Sequence, residues 1–255
     1  MLKSLFLFSL LILSMSLYAG PVSTLYGTGW ANGSLHIFQG NTLTKTALQG
    51  SYESGIVVLD TVKTYPYYYG GSYGRDYSLS TGNVVNTTQH PILAPQGVLD
   101  ATTNGQYIYA MSYAYTPGVY RFNLDWTNPQ FLFSTASSAD LGIAYDSASD
   151  LLWVTNWGNK TISKYSMSGS NLGSFSTVGN HNGGLAYDAA DNTLWTWSYD
   201  NNRLEQYSKT GTFLSSTSYA FNGHIYGLEA SVIPEPHTLF FVLLSCAFAF
   251  FLKKK

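Results

Sequence analysis

The chain has 255 residues, 45% of them hydrophobic and 10% charged, with a formal net charge of −2 at neutral pH. This apolar content supplies a sizeable core and excludes a disordered chain, and the slight acidity leaves no basic footprint for nucleic acid. The single cysteine, Cys246, stands in a C-terminal apolar run, which excludes disulfides and thiolate catalysis from the residues before it.

The first element in chain order is a leader. Lys3 gives a positive start, Leu5 to Leu13 an apolar run, and Ala19-Gly20 a small-residue pair where a signal peptidase could cut, although Leu17 is not ideal two positions before Ala19. The run is short for a membrane span, so residues 1–19 are expected to be a signal peptide, a retained helical anchor being the alternative.

A repeat follows. GIAYDSASDLLWVTNWGNKTISKYSMSG, residues 142–169, aligns without a gap on GLAYDAADNTLWTWSYDNNRLEQYSKTG, residues 184–211. Related starts occur at Gly55, Gly97 and Gly227, so the five glycines are spaced by 42, 45, 42 and 43 residues. Within one unit, GIAY, LLWVT, TISKYSM and LGSFST are β-prone segments divided by Asp, Asn, Ser and Gly turn clusters. Four short antiparallel strands per forty-odd residues make a propeller blade.

The piece LYGTGWANGSLHIFQGNTL lacks a first strand, whereas GLEASV at residues 227–232 is a first strand alone. Tyr26 falls at the place of Trp153, and Phe38 at that of Tyr165. Joining the two pieces predicts an all-β, five-bladed propeller over residues 20–232, with four-stranded antiparallel blades and the N- and C-terminal strands sharing one blade. Closure of this kind removes the exposed sheet edges. The stretch Asn201-Asn202-Arg203-Leu204 and its surroundings resemble an NHL-type propeller repeat, a pattern shared with rings of the gluconolactonase and surface-antigen kinds. That resemblance implies architecture rather than activity.

Candidate chemistry is sparse. Asp146, Asp188 and Asp191 read as turn-formers that bond their own backbone. No phosphate loop, nucleophile elbow or paired-carboxylate motif is present, and the pattern requires no cofactor. One metal reading exists: His90, His181 and His224 all stand in blade-to-blade connections, where three imidazoles converging at the channel mouth would take zinc or calcium, as the resemblance to zinc-binding NHL-like lyases implies. The alternative is that these are ordinary surface histidines.

A more regular signal is aromatic. Trp157 sits in Asn-Trp-Gly-Asn, a turn between the second and third strands of its blade. The blade offsets place Trp30, Tyr69, Tyr113 or Tyr115, and Tyr199 at the same point of the other blades. Turn tips favour Gly, Asn and Asp, so a column of large rings points to a platform on which sugar rings stack. The competing reading is that the rings cover the top of the core.

The last element is Pro234-Glu235-Pro236-His237-Thr238, an apolar run from Leu239 to Leu252, and Lys253-Lys254-Lys255. The prolines break the chain, the run inserts as a helix, and the lysines hold it at the cytoplasmic side. Residues 233–255 resemble the PEP-CTERM sorting tail of Gram-negative bacteria, which implies an exosortase-type membrane protease as partner; a plain membrane anchor is the alternative. The combined expectation is an exported, non-catalytic propeller of the cell envelope or outer surface, membrane-anchored by its tail before processing, binding extracellular polysaccharide or another envelope component. A metal-dependent lactonase or lyase at the channel mouth and a protein-interaction scaffold are the competing readings.

Overall fold

The computed structural model describes residues 20–29, 33–48, 52–67, 74–86, 97–114, 116–221 and 223–231. The expected signal peptide, residues 1–19, and the tail with Pro234, Glu235 and Pro236 lie outside the described residues, as do Trp30, Tyr69, His90 and Tyr115. Among the described residues no helix is long and apolar enough to cross a membrane.

Twenty strands among the described residues form five four-stranded antiparallel sheets. The fourth blade is β12 (Asp140–Asp146), β13 (Leu151–Asn156), β14 (Thr161–Ser166) and β15 (Asn171–Ser176), and the fifth is β16 (Asn182–Asp188), β17 (Thr193–Ser198), β18 (Arg203–Ser208) and β19 (Phe213–Ser218). The second holds β4 (Glu53–Val58), β5 (Val62–Pro66), β6 (Asp76–Tyr77) and β7 (Val84–Asn86). The third holds β8 (Val98–Thr103), β9 (Ile108–Ser112), β10 (Gly118–Phe122) and β11 (Gln130–Phe133). In the first, β1 (Leu25–Gly29), β2 (Ser34–Gln39) and β3 (Thr42–Ala47) are completed by β20 (Gly227–Ala230), which pairs antiparallel with β1 from Leu25↔Ala230 to Thr28↔Gly227. The closure expected from the sequence is therefore the one observed.

Local chemistry explains the turns. Asp146 ends β12, and its Oδ1 accepts the N–H groups of Ala148 and Ser149; Asp188 ends β16 and takes that of Ala190 in the same way. Each aspartate thus folds its own turn and also clasps a neighbour. Lys209, in the β18–β19 turn, reaches Asp146 at 3.0 Å, and Ser23 donates to Asp188 through both its N–H and its hydroxyl. The ion pair keeps Asp146 below the ordinary carboxylate range, against the upward push of its burial.

Aromatic residues fill the seams between blades. Trp153 of β13 packs with Leu185, Tyr187, Leu194 and Tyr207 of the fifth blade, and its indole N–H reaches Asp146. The repeat also carries its hydrogen bonds from blade to blade: the hydroxyl of Tyr165 takes the N–H of Ala136, and that of Tyr207 takes the N–H of Val178. In the first blade His36 occupies such a core position on β2, with its ring 4.3 Å from that of Phe221 and, among the described residues, no hydrogen-bond partner on either nitrogen. Burial, helped by the charge of Lys45, lowers its pKa to about 3.

The inner strands converge on the axis, which accounts for Gly142, Gly184 and Gly227, whereas Gly97 precedes β8 and Gly55 stands in the register of Ile143. A Cβ on Gly184 would meet the backbone of Gly227 and Leu228 on β20, and one on Gly142 or Gly227 would strike the carbonyl of the next inner strand. Only glycine permits that approach.

One side chain fills the space left. Asp100 pairs with Met111 in the register that Ile143, Leu185 and Leu228 occupy in their blades, so a carboxylate stands where the repeat has an aliphatic residue. Its Oδ2 accepts the N–H groups of Ile143 and Leu185, and its Oδ1 those of Leu228 and Ala101, at 2.9–3.0 Å. Asp100 therefore ties β8 to the inner strands of three other blades. Burial raises its pKa well above the usual carboxylate range and the four backbone donors hold that rise back; because all four partners present hydrogens, the carboxylate is the form that this geometry fits. Glu229 on β20 is buried beside it, accepting from Thr102 at Oε1, with no hydrogen-bond partner at Oε2 among the described residues. Burial and then the charge of Asp100 raise its pKa well above the usual range, so it keeps its proton.

Candidate functional site

The face opposite the Asp146 and Asp188 turns carries the loops between second and third strands and the blade-to-blade connections. Their positions are set by one recurrent backbone hydrogen bond. The residue just after the second strand donates its N–H to the carbonyl just before the inner strand: Tyr67 to Tyr52, Tyr113 to Gly97, Trp157 to Ala139, and Tyr199 to His181. All four donors are aromatic. Trp30, which follows β1 directly in sequence, stands at the corresponding place in the first blade but lies outside the described residues.

Tyr113 and Trp157 and Tyr199 are thus where the sequence offsets put them. In the second blade the residue at this place is Tyr67 rather than Tyr69. Two short local differences cause the shift: the turn from β4 to β5 is one residue shorter than that from β12 to β13, and the inner-strand bulge holds Ser54 alone where β12 has Leu141 and Gly142.

The rings do not all do one job. Tyr67 is buried and packs with Leu99 and Leu141 over the channel mouth, its ring stacked on that of Tyr113 with the two hydroxyls in contact. Tyr113, Trp157 and Tyr226 pack around this plug and are half-buried, whereas Tyr199 is 36% exposed. For Tyr67 the core reading of the column holds, while the outer rings remain partly in water.

Trp157 is the hub of this outer set. Its ring lies 4.9 Å from His181, 5.9 Å from Tyr199, 5.8 Å from His224 and 5.5 Å from Tyr226. His224 is stacked on Tyr199 at 3.9 Å and 10° and lies nearly parallel to Tyr226, at 5.3 Å and 6°. Its Nδ1 also approaches the Tyr226 hydroxyl, at 3.3 Å. Burial, with a smaller contribution from the charge of His181, lowers the His224 pKa, so this ring is neutral at physiological pH. His181 Nδ1 lies 2.9 Å from Asp200, and that bond holds the Asp200 carboxyl below its ordinary range.

The structure therefore brings together two of the three histidines considered as metal ligands, but around a tryptophan. Among the described residues no group of three His, Cys, Asp or Glu side chains is placed to hold a metal ion, and His90 lies outside them. The sequence offsets did not reveal Tyr226 and Asp200. Tyr226 could have been found from its place two residues after His224 and directly before Gly227.

No protein-family model matches the chain, and no curated protein matches it. Solved structures do. A chain in the crystal structure of a nidogen/laminin complex is similar with a TM-score of 0.55 at 14% identity, over 82% of this chain and 98% of that one. A functionally unknown protein from Desulfotomaculum acetoxidans is similar with a TM-score of 0.53 at 12% identity, over 82% and 86%. A streptogramin B lyase structure is a looser likeness, with a TM-score of 0.48 at 15% identity, over 81% and 71%. At such identities the likeness is one of fold alone.

Proposed function

We propose that the protein is an exported, envelope-associated, non-catalytic propeller that binds extracellular polysaccharide through its loop face, and that residues 233–255 act as a sorting tail handled by an exosortase-type protease. The observation that carries the binding reading is the ring set around Trp157: Tyr199, His181, His224 and Tyr226 gathered on one face and left partly in water. Sugar rings offer apolar C–H faces that pack on such rings. Next to Trp157 the loop adds the exposed Asn159, whose amide suits sugar hydroxyls.

The test is a glycan array probed with the purified protein, followed by Trp157→Ala and Tyr199→Ala. Each substitution is expected to weaken binding of a retained polysaccharide by about 1–3 kcal/mol, as for exposed aromatic anchors. Unchanged affinity in both variants overturns the reading. For the tail, replacing Pro234, Glu235 and Pro236 by alanine is expected to leave the chain uncleaved in the inner membrane, because the apolar run and lysines still arrest it. Normal surface delivery of that variant refutes the sorting role.

A further inference from the structure

The two ends of the propeller leave from the same side. β20 starts beside the ring set, where Tyr226 donates its N–H to Thr28, and ends where Ala230 pairs with Leu25 and Ser231 donates its N–H to Thr24. Ser23, the next residue back, is bonded to Asp188 at the end of β16. That aspartate heads a turn on the face where Lys209 joins the β18–β19 turn to Asp146 and Ser149. Residues 23–25 and 230–231 therefore emerge at the turn face, separated from the loop face by the length of an inner strand, roughly 20 Å at about 3.3 Å per residue. Only Val232 and Ile233 stand between Ser231 and Pro234, and the apolar run begins at Leu239.

From this we infer that the anchored protein sits with its turn face against the bilayer and its loop face, with Trp157, Tyr199 and His224, turned outward to the surroundings. The inference rests on the reading of residues 233–255 as a membrane anchor and adds an orientation to it. The seven residues from Val232 to Thr238 reach at most about 25 Å, short of the path outward across a four-stranded blade, about 15 Å, and then along the roughly 20 Å of its depth, so the disc cannot swing over. The turn face also carries Asp60, Asp146, Asp150, Asp188 and Asp191, with Lys209 engaged by Asp146. An anionic lipid surface offers such a face no attraction, so the tether rather than adsorption sets the geometry. The ring face then meets polymer outside the membrane without the disc in the way.

The full-length chain, with Cys246→Ser, is labelled with a fluorophore at one of two exposed positions of the fourth blade: Ser147→Cys in the β12–β13 turn or Asn159→Cys in the β13–β14 loop. Each is reconstituted into vesicles whose lipid headgroups carry nitroxide quenchers. Both labelled proteins are expected to float with the vesicles, with a marked loss of fluorescence at position 147 and little at 159. Flotation with equal loss at both positions, or a greater loss at 159, overturns the orientation and leaves the anchor standing. Failure to float overturns the anchor reading and the orientation together.

Discussion

The axis and the loop face both carry side chains that depart from an ordinary β-blade, and the fold treats them in opposite ways. At the axis, Asp100 is sealed from water and all four of its contacts are backbone N–H groups from β8, β12, β16 and β20. At the loop face, Trp157, Tyr199, His224 and Tyr226 mainly contact one another and stay partly in solvent. A buried charge with every partner supplied is costly to disturb, whereas rings at a wet surface contribute little to folding and are available to a ligand. The difference separates what holds the ring closed from what the ring displays.

The severest way to break the axis is to remove its last strand. Truncation after Gly223 deletes β20, uncovers the edge of β1, and loses the burial of Leu228 and the Leu228 N–H bonded to Asp100. At about 2 kcal/mol or more per large buried side chain, and with an open sheet edge besides, the expected outcome in a denaturant titration is loss of the cooperative transition. A truncated chain that unfolds like the intact one contradicts the closure.

Acid attacks the closing blade through His36. The fold lowers its pKa from 6.5 to about 3, so the unfolded chain takes up this proton first. Stability is full above the unfolded value, falls as the pH drops through 6.5, and goes on falling to about 3; at 1.36 kcal/mol per pH unit the loss is on the order of 4–5 kcal/mol. His36→Phe is expected to flatten that fall, as read from denaturant midpoints between pH 7 and 4.

Asp100→Asn tests the carboxylate itself. The amide keeps one acceptor oxygen and turns an NH2 group towards backbone donors, so a loss on the order of 3 kcal/mol is expected in the denaturation midpoint at pH 7. Glu229→Gln has the opposite sign. Because folding keeps Glu229 protonated when the unfolded side chain has ionised, the wild-type chain loses stability as the pH rises above the ordinary glutamate value. The glutamine variant is therefore expected to be the more stable one at pH 8, with its advantage vanishing below about 4, near the unfolded glutamate pKa. The smallest effects belong to the loop face: Trp157→Ala is expected to cost about 1–2 kcal/mol of stability, and Tyr199→Ala less than about 1, well short of the roughly 3–5 typical of a fully buried ring. A core-sized loss at Tyr199 would erase the distinction between the two regions.

The blades were legible because each is a local unit. Strand lengths, turn aspartates and the split first blade follow from short-range patterns repeated along the chain, and Trp157 and Tyr199 share a gap-free register, whereas Gly55 and Gly97 fall at other places of their inner strands than Gly142 and Gly184. The second blade was harder to read, because a missing turn residue and a smaller bulge do not announce themselves in a propensity pattern, and they moved the aromatic position from Tyr69 to Tyr67. The axis was not read at all, although a signal was present. In GLEASV, Glu229 interrupts a column held by Ala144 and Ala186, whereas Asp100 reaches the column of Ile143 and Leu185 only through the smaller bulge of β8, which the glycine register hides. A lone acid in an apolar column marks a place where strands from different blades meet. Their meeting depends on contacts between remote parts of the chain, which local patterns do not encode.

The shared first blade has a consequence in time. Among the described strands β1 is the first to be made and its inner partner β20 the last, so through most of synthesis β1 carries an unpaired edge. Pairing between such distant segments is slow, because most of the chain must be ordered before the contact is rewarded. During that interval the open ring is a target for edge-to-edge association with other chains. The exposed hydroxyl- and lysine-bearing positions of β3, among them Thr42, Thr44 and Lys45, guard the far side of the same sheet. Aggregation during refolding is therefore expected to begin at β1, and a peptide carrying residues 225–231 added in excess is expected to suppress it.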